Sequence, residues 1–433
     1  MTRICRFLCG VFLIACLGDV ALAGQKFTFR TKHYVITTDV EKPLADAIGK
    51  HMDAVYEEYE DRMKGFKPKQ SKMIMALYVW EKYETYLEFL RGYGFNAANS
   101  GGVYFRGPKG DGLSTWVEGQ SRLSMYDVLQ HEGFHQFAAA RIHEDLPPWV
   151  NEGLAEYFGD GLLINGKLVV GKLDREKVRR MSRAIDQKLY IPFDELMTMN
   201  NTEWVNKVTS GAKGTSLMYD TAWSICYFLI HADKKYRSAL EDFLRLMNDG
   251  ATGQEAFNQV FGKNLVKFEK AWSSAIFKFE PDPWYTAVGR MRFYAGILKQ
   301  LHAKKEHAPN FGKLREMVIR ASMSTIIKER DIVQRDDRDV KLSNESEELN
   351  FPSPAEVALI PSKDPSLPDG LLVTGLKPTS IRLTWKRDTK GNIVEDIDYE
   401  KEKTTAVKPK PTTVPGKTPA TKPATRSVDD LVK

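Results

Sequence analysis

The sequence predicts an α+β fold, and three observations carry that expectation. Strand-like and helix-like stretches alternate up to about residue 120. The chain then reads as almost continuous helix to about residue 280. Short β-like pieces return only beyond residue 331. With 433 residues and 42% hydrophobic content, the chain can bury a large core and form one large domain with appendages, or two to three domains. The expected divisions are 1–23, 24–283, 284–400 and 401–433.

The elements follow in order. "HYVITTDV", 33–40, is β-branched and aromatic, as a strand requires. Pro43 opens a helix in which Leu44, Ile48, Met52, Val55 and Tyr59 share one face. "MIMALYVW", 73–80, is an apolar run of strand length, followed by a helix in "EKYETYLEFL". "GGVYFRGPKGDGLSTWVEG", 101–119, reads as a hairpin whose second strand is a candidate sheet edge. A helix capped by Ser124 with Asp127 runs to about Ile142. Pro147 and Pro148 restart the chain into the helix "WVNEGLAEYF", which Gly159 ends. Asn165-Gly166 marks a tight hairpin. "SLMYDTAWSICYFLIH", "YRSALEDFLRLM" and "LVKFEKAWSSAIFKF" each carry an apolar stripe. Residues 286–330 read as basic helix. "GLLVTGL" and "SIRLTWK" are short β-like pieces beyond it. Residues 401–433 lack aromatics and are rich in Pro, Thr and Lys, a composition that cannot offset the entropy of ordering. No internal repeat is present.

Residues 1–23 combine Arg3 and Arg6, an apolar run from Phe7 to Leu17, and the small-x-small signal Ala21-Leu22-Ala23. That is the pattern of a secretory signal peptide, and its apolar run is too short to span a bilayer. Leu13-Ile14-Ala15-Cys16 also resembles a bacterial lipobox, which would leave a lipid anchor on Cys16. The protein is therefore expected to be exported, as a secreted, periplasmic or envelope protein. Cys226 alone certainly survives cleavage after Ala23, so no internal disulfide is expected in the mature chain. No later segment is apolar enough for a transmembrane helix. The net charge of +6 is small for this length and partly in the tail, and gives no reason to expect a nucleic-acid partner.

Residues 128–137, "VLQHEGFHQF", hold the chemistry. Positions i and i+4 of a helix lie on one face, so His131 and His135 can present two imidazoles to one metal ion. Zn²⁺ prefers such ligands in a tetrahedron, with one position left for water in a catalytic site. Glu132 stands beside that position and suits a general base. The alternative is an ordinary helix with two histidines, but chance would produce H-E-x-x-H only about 0.01 times in a chain of this composition. Gly133 adds weight, because glycine inside a helix costs about 1 kcal/mol against alanine and often marks a close approach. A third ligand is still needed. "PPWVNEGLAEYF" offers Glu152 on a helix able to return antiparallel, with Glu156 one turn further on to orient a ligand histidine. The alternative for this pair is two solvated surface carboxylates.

"HEGFHQF" followed by "PPWVNEGLAEYF" resembles the gluzincin metallopeptidases of the thermolysin-like clan. It resembles more closely a group of uncharacterised exported bacterial proteins with a peptidase-like domain, the DUF1570 group. The motifs cover residues 131–158, and the layout is loosely similar from about 27 to 280. The resemblance implies a zincin-type domain: an N-terminal mixed sheet bearing an edge strand, an HExxH helix and a helical C-terminal subdomain. It implies zinc-ligand roles for His131, His135 and Glu152, the base role for Glu132, and a peptide or protein substrate. The spacer before Glu152 is shorter than in the aminopeptidases of the clan and their "GAMEN" signature is missing, so aminopeptidase activity is not implied. In gluzincins a Tyr or His from the helical half stabilises the oxyanion. Tyr219 stands at about that position, with Tyr227 its competitor. The alternative is that Tyr219, Trp223, Cys226 and Ile230 form a core stripe. His143 and His231 are read as structural or surface residues. The clan's substrate-binding edge strand is placed at 113–119. No G-x-S-x-G elbow is present.

Two functions are therefore expected to compete. One is an exported zinc peptidase in which Glu132 activates water. The other is a non-catalytic, zinc-stabilised envelope protein whose basic C-terminal part binds anionic partners.

Overall fold

Five strands and two helices open the structure, a computed structural model that describes residues 25–63, 74–98, 100–142, 146–210, 215–320, 325–326, 339–340, 349–387 and 391–400. The expected signal peptide with Cys16, the loop residue His143 and the tail 401–433 lie outside the described residues. The first sheet has the order β1-β2-β3-β5-β4, formed by β1 (Phe27–Arg30), β2 (Tyr34–Thr38), β3 (Met75–Trp80), β4 (Gly102–Gly107) and β5 (Gly110–Trp116). β2–β3 and β3–β5 are parallel, whereas β1–β2 and β4–β5 are antiparallel, so the sheet is mixed as expected. Helices α1 (Lys42–Arg62) and α2 (Tyr83–Gly92) connect its strands. Leu77 and Val79 enter the main core on one face, while Trp80 packs with Tyr86 and Phe105 in a smaller cluster on the other.

The edge strand differs from the expectation for 113–119. β5 pairs with β3 on one side and β4 on the other, so β4 is the outer strand. The chain enters the sheet at its rim and turns inward at Gly107–Gly110. Leu113, Ser114 and Thr115, with no exposed surface, need that inner place, whereas Arg106 on β4 faces solvent.

Two helices follow, α3 (Arg122–Arg141) and α4 (Pro148–Gly159). The α3 cap is Ser121, whose side chain accepts the Ser124 amide at 3.0 Å, and not Ser124 as expected. The extended backbone of Ser121 lets its hydroxyl reach the amide three residues on, which Ser124 as part of the first turn cannot do. β6 (Leu162–Ile164) and β7 (Lys167–Val169) form the expected tight hairpin, with Asn165 and Gly166 both at positive φ.

Helices α5 (Arg175–Asp186), α6 (Phe193–Thr198), α7 (Asn201–Thr209), α8 (Thr215–His231), α9 (Lys234–Asn248), α10 (Gly253–Phe261) and α11 (Leu265–Ile276) complete the main core. Cys226 on α8 is buried with a free thiol. Beyond lie α12 (Pro283–Ala303) and α13 (Phe311–Arg320), the two-residue strands β8 (Thr325–Ile326) and β9 (Asp339–Val340), and a four-stranded antiparallel sheet. Its strands are β10 (Glu356–Ile360), β11 (Gly370–Thr374), β12 (Ser380–Arg387) and β13 (Ile393–Glu400), in sequence order. This region has a second core, which also takes in Leu162 and Ile164 of β6. Removing residues 286–433 would therefore uncover apolar side chains of the preceding region. Among the described residues, no helix is long and apolar enough to cross a membrane.

Candidate metal centre

The apolar faces of α3 and α4 pack antiparallel, which sets Gln130 beside Phe158 and Gly159, and His135 beside Asn151. This brings Glu152 to the turn of α3 that carries both histidines. Glu152 Oε2 lies 3.3 Å from His131 Nε2 and 3.5 Å from His135 Nε2. A tetrahedral zinc ion with bonds of about 2.0–2.1 Å places neighbouring ligand atoms about 3.4 Å apart. The ligand atoms of all three residues lie within 4.8 Å of one another. His131 is fully buried, and neither of its ring nitrogens completes a hydrogen bond among the described residues. The donor set of two imidazoles and a carboxylate therefore fits a zinc ion.

Each histidine has an acceptor behind it. Glu156 Oε1 lies 3.3 Å from His131 Nδ1, and Asn151 Oδ1 lies 3.1 Å from His135 Nδ1. Such acceptors favour the proton on Nδ1 and turn the Nε2 lone pair toward Glu152. Glu156 Oε2 is in turn 3.3 Å from Lys177 Nζ of α5, which also donates to Asp160 at 2.7 Å and lies 4.3 Å over the Trp223 ring. Lys177 is itself buried.

The charges are strongly coupled. Burial opposes a charged His131, but the carboxylates of Glu152 and Glu156 outweigh it and lift the imidazole to about 9. Burial alone would raise Glu152, but His135 and His131 hold its carboxyl at about 2. His135 is also raised, because Glu152 outweighs its burial. The cluster thus calls for positive charge among its carboxylates, which protons on the imidazoles or a bound cation can supply.

Glu132 is a further buried carboxylate that feels the charges of both histidines. Burial raises its carboxyl above the ordinary value, against the pull of His135, His131 and a backbone hydrogen bond. That bond comes from the edge strand: the Tyr104 amide donates to Glu132 Oε2 at 2.8 Å. An amide aimed at α3 is not part of the β4–β5 ladder, so the outer edge of β4, which pairs with no further strand among the described residues, borders the base.

Of the other expected residues, Tyr219 packs edge-on against Trp204 at 5.3 Å between centroids, and its ring flanks the main core. Tyr227 donates its hydroxyl to the Gly171 carbonyl at 3.2 Å. His231 lies 3.1 Å from the Tyr157 hydroxyl and stacks on Tyr227, a structural place as expected. Sequence reasoning missed Asn151, Lys177 and the Tyr104 amide. Asn151 had a usable signal, since it precedes Glu152 on a helix running back along His135. Lys177 had none, because it reaches Glu156 from a separate helix.

A family described as a protein of unknown function, DUF1570, matches residues 127–252. No curated protein matches the chain. The matched span begins on α3 ahead of His131 and runs beyond α9, so the likeness to this family covers His131, Glu132, His135, Glu152, Glu156 and Lys177 but not Tyr104, and only part of the chain.

Proposed function

We propose that the protein is an exported zinc-dependent peptidase of gluzincin type. His131, His135 and Glu152 would hold the metal, and Glu132 would serve as general base. The observation that carries this reading is the convergence of two imidazole Nε2 atoms on one carboxylate oxygen, with a second buried carboxylate beside them. Zinc bound there would polarise a scissile carbonyl and acidify water. Glu132 takes the proton of the attacking water and passes it to the leaving amine. A carboxyl raised by burial suits both halves of that transfer. An extended peptide would add to the outer edge of β4, whose Tyr104 amide already reaches the base. Tyr219 would stabilise the oxyanion, with Tyr227, whose hydroxyl donates to the Gly171 carbonyl, as its competitor. Export rests on the pattern of residues 1–23.

Elemental analysis of the purified chain tests the reading. About one zinc per chain is expected, lost in His131→Ala and in Glu152→Ala. A folded protein that stays zinc-free after supplementation would remove the metal centre and the peptidase with it.

Lys177 has a measurable part in this scheme. It holds Glu156 behind His131, and loss of such support typically weakens metal binding by about 10–100-fold. Lys177→Met is expected to fall in that range in a chelator competition, with partial recovery in Lys177→Arg. Equal zinc affinity in wild type and Lys177→Met would reduce Lys177 to a packing role against Trp223.

A further inference from the structure

Lys177 leaves the first turn of α5, and the stretches on either side of it are gripped by α12 of the C-terminal region. On one side, the Tyr285 hydroxyl donates to the main-chain carbonyl of Asp160 at 2.7 Å. Asp160 ends α4 one turn after Glu156, and its carboxylate is the one that receives Lys177 Nζ. On the other side, the chain leading into α5 is tied twice to Asp282. Lys172 Nζ lies 2.6 Å from the Asp282 carboxylate, and the Asp282 amide donates to the Leu173 carbonyl at 2.9 Å. Further along α12, the Arg290 guanidinium lies 3.6 Å from Glu176 Oε1, on the residue just before Lys177.

These contacts go beyond the packing of one helix on another. The apolar side of α12, with Trp284, Ala287 and Met291, fills the second core. The polar groups that reach across do so at residue 160 and at 172–176, on the two flanks of the lysine. Arg290 is only 6% exposed, and a guanidinium enters such a place at a cost that an opposing carboxylate offsets. Lys177 in turn needs outside support. Its ammonium must point between Glu156 at 3.3 Å and Asp160 at 2.7 Å, yet it rides on a flexible four-carbon stem. Where the head settles therefore depends on how firmly α5 and the end of α4 are held. The path then closes on the site, because Glu156 Oε1 lies 3.3 Å from His131 Nδ1.

We propose that α12 is a positioning element of the metal centre: Tyr285 and Arg290 fix the two flanks of Lys177, and Lys177 aims Glu156 at His131. The C-terminal region thereby takes part in metal binding, although none of the three ligands comes from it. The inference rests on the zinc reading given above and extends it to residues that touch no ligand.

Zinc affinity of the full chain, measured by chelator competition in a double-mutant cycle, tests the proposal. Tyr285→Phe and Arg290→Met are each expected to weaken zinc about 3–10-fold, less than direct loss of Lys177 because each acts one contact further out. In a chain that already carries Lys177→Met, the same substitutions should change zinc affinity by less than about twofold, since the group they act through is gone. A general loosening of the fold would instead weaken zinc equally in both backgrounds. Tyr285→Phe loses only a hydroxyl and keeps the cycle decisive if Arg290→Met does not fold. Unchanged zinc affinity in Tyr285→Phe, or equal losses with and without Lys177, would overturn the proposal and leave α12 a packing helix. A wild type that binds no zinc would be a different failure: it would overturn the metal reading itself, and this extension with it.

Discussion

Replacing Glu132 by Gln is expected to lower kcat about 10²–10⁴-fold, the usual contribution of a positioned general base, while zinc content and melting temperature stay at wild-type levels. The substitution isolates one property. Gln keeps the length and shape of the side chain, and its carbonyl oxygen can still accept the Tyr104 amide that Glu132 holds at 2.8 Å. The edge of β4 should therefore keep its place. The proton affinity is lost. Removing a buried carboxylate whose charge is disfavoured by its surroundings gives no reason for the fold to weaken. Mass spectrometry of a mixed peptide library incubated with each form supplies the rate whatever the peptide specificity. Wild-type cleavage that vanishes in Glu132→Gln supports the peptidase. Undiminished cleavage by Glu132→Gln would place the base elsewhere, and loss of zinc in that variant would make Glu132 a ligand. A zinc-loaded wild type that cleaves nothing in the library would favour the envelope-binding alternative, in which Glu132 has no chemical duty.

Glu132 and the two histidines were legible because their relation is local: one helical turn fixes it. Glu152 was legible through one further step, the antiparallel return of α4, which a short loop and two prolines impose. The edge strand was not. Both halves of 101–119 have strand-like composition, and their order in the sheet depends on pairing between Leu77 and Leu113, far apart in sequence. The cap of α3 failed for a smaller reason. Ser121 and Ser124 are equivalent by type, and only the bond between them shows which is outside the helix. The second core was hidden in the same way as the edge. Leu162 and Ile164 read as ordinary hairpin residues, and their partners on α12 and the last sheet lie more than a hundred residues on. Lys177 combines both difficulties, since a buried lysine has no periodic signature and its partners come from α4 and α8.

Gly153→Ala is expected to destabilise the fold by about 3 kcal/mol, the upper part of the range for overpacking, whereas Gly133→Ala should change stability by less than about 1 kcal/mol. Both glycines sit inside the site helices next to functional residues, and propensity alone would have alanine favoured at each by about 1 kcal/mol. What differs is the neighbour. A methyl at Gly153 would lie 2.4 Å from the Ala222 carbonyl oxygen and 2.6 Å from Cys226 Sγ. The first of these is the backbone of α8, which cannot turn aside, so the two helices must separate and loosen the core between them. At Gly133 the nearest atom is the end of the Met52 side chain at 3.0 Å, followed by the Tyr59 hydroxyl at 3.3 Å. A methionine tip moves by a small rotation, and the gain in helix propensity opposes the remaining strain. Chemical denaturation of the three proteins reads the contrast directly. Because Glu152 adjoins Gly153, the separation of α4 from α8 should also reduce zinc affinity in Gly153→Ala and leave it unchanged in Gly133→Ala. Equal stability of the two variants would mean that α4 and α8 are not in the close contact that positions the third ligand.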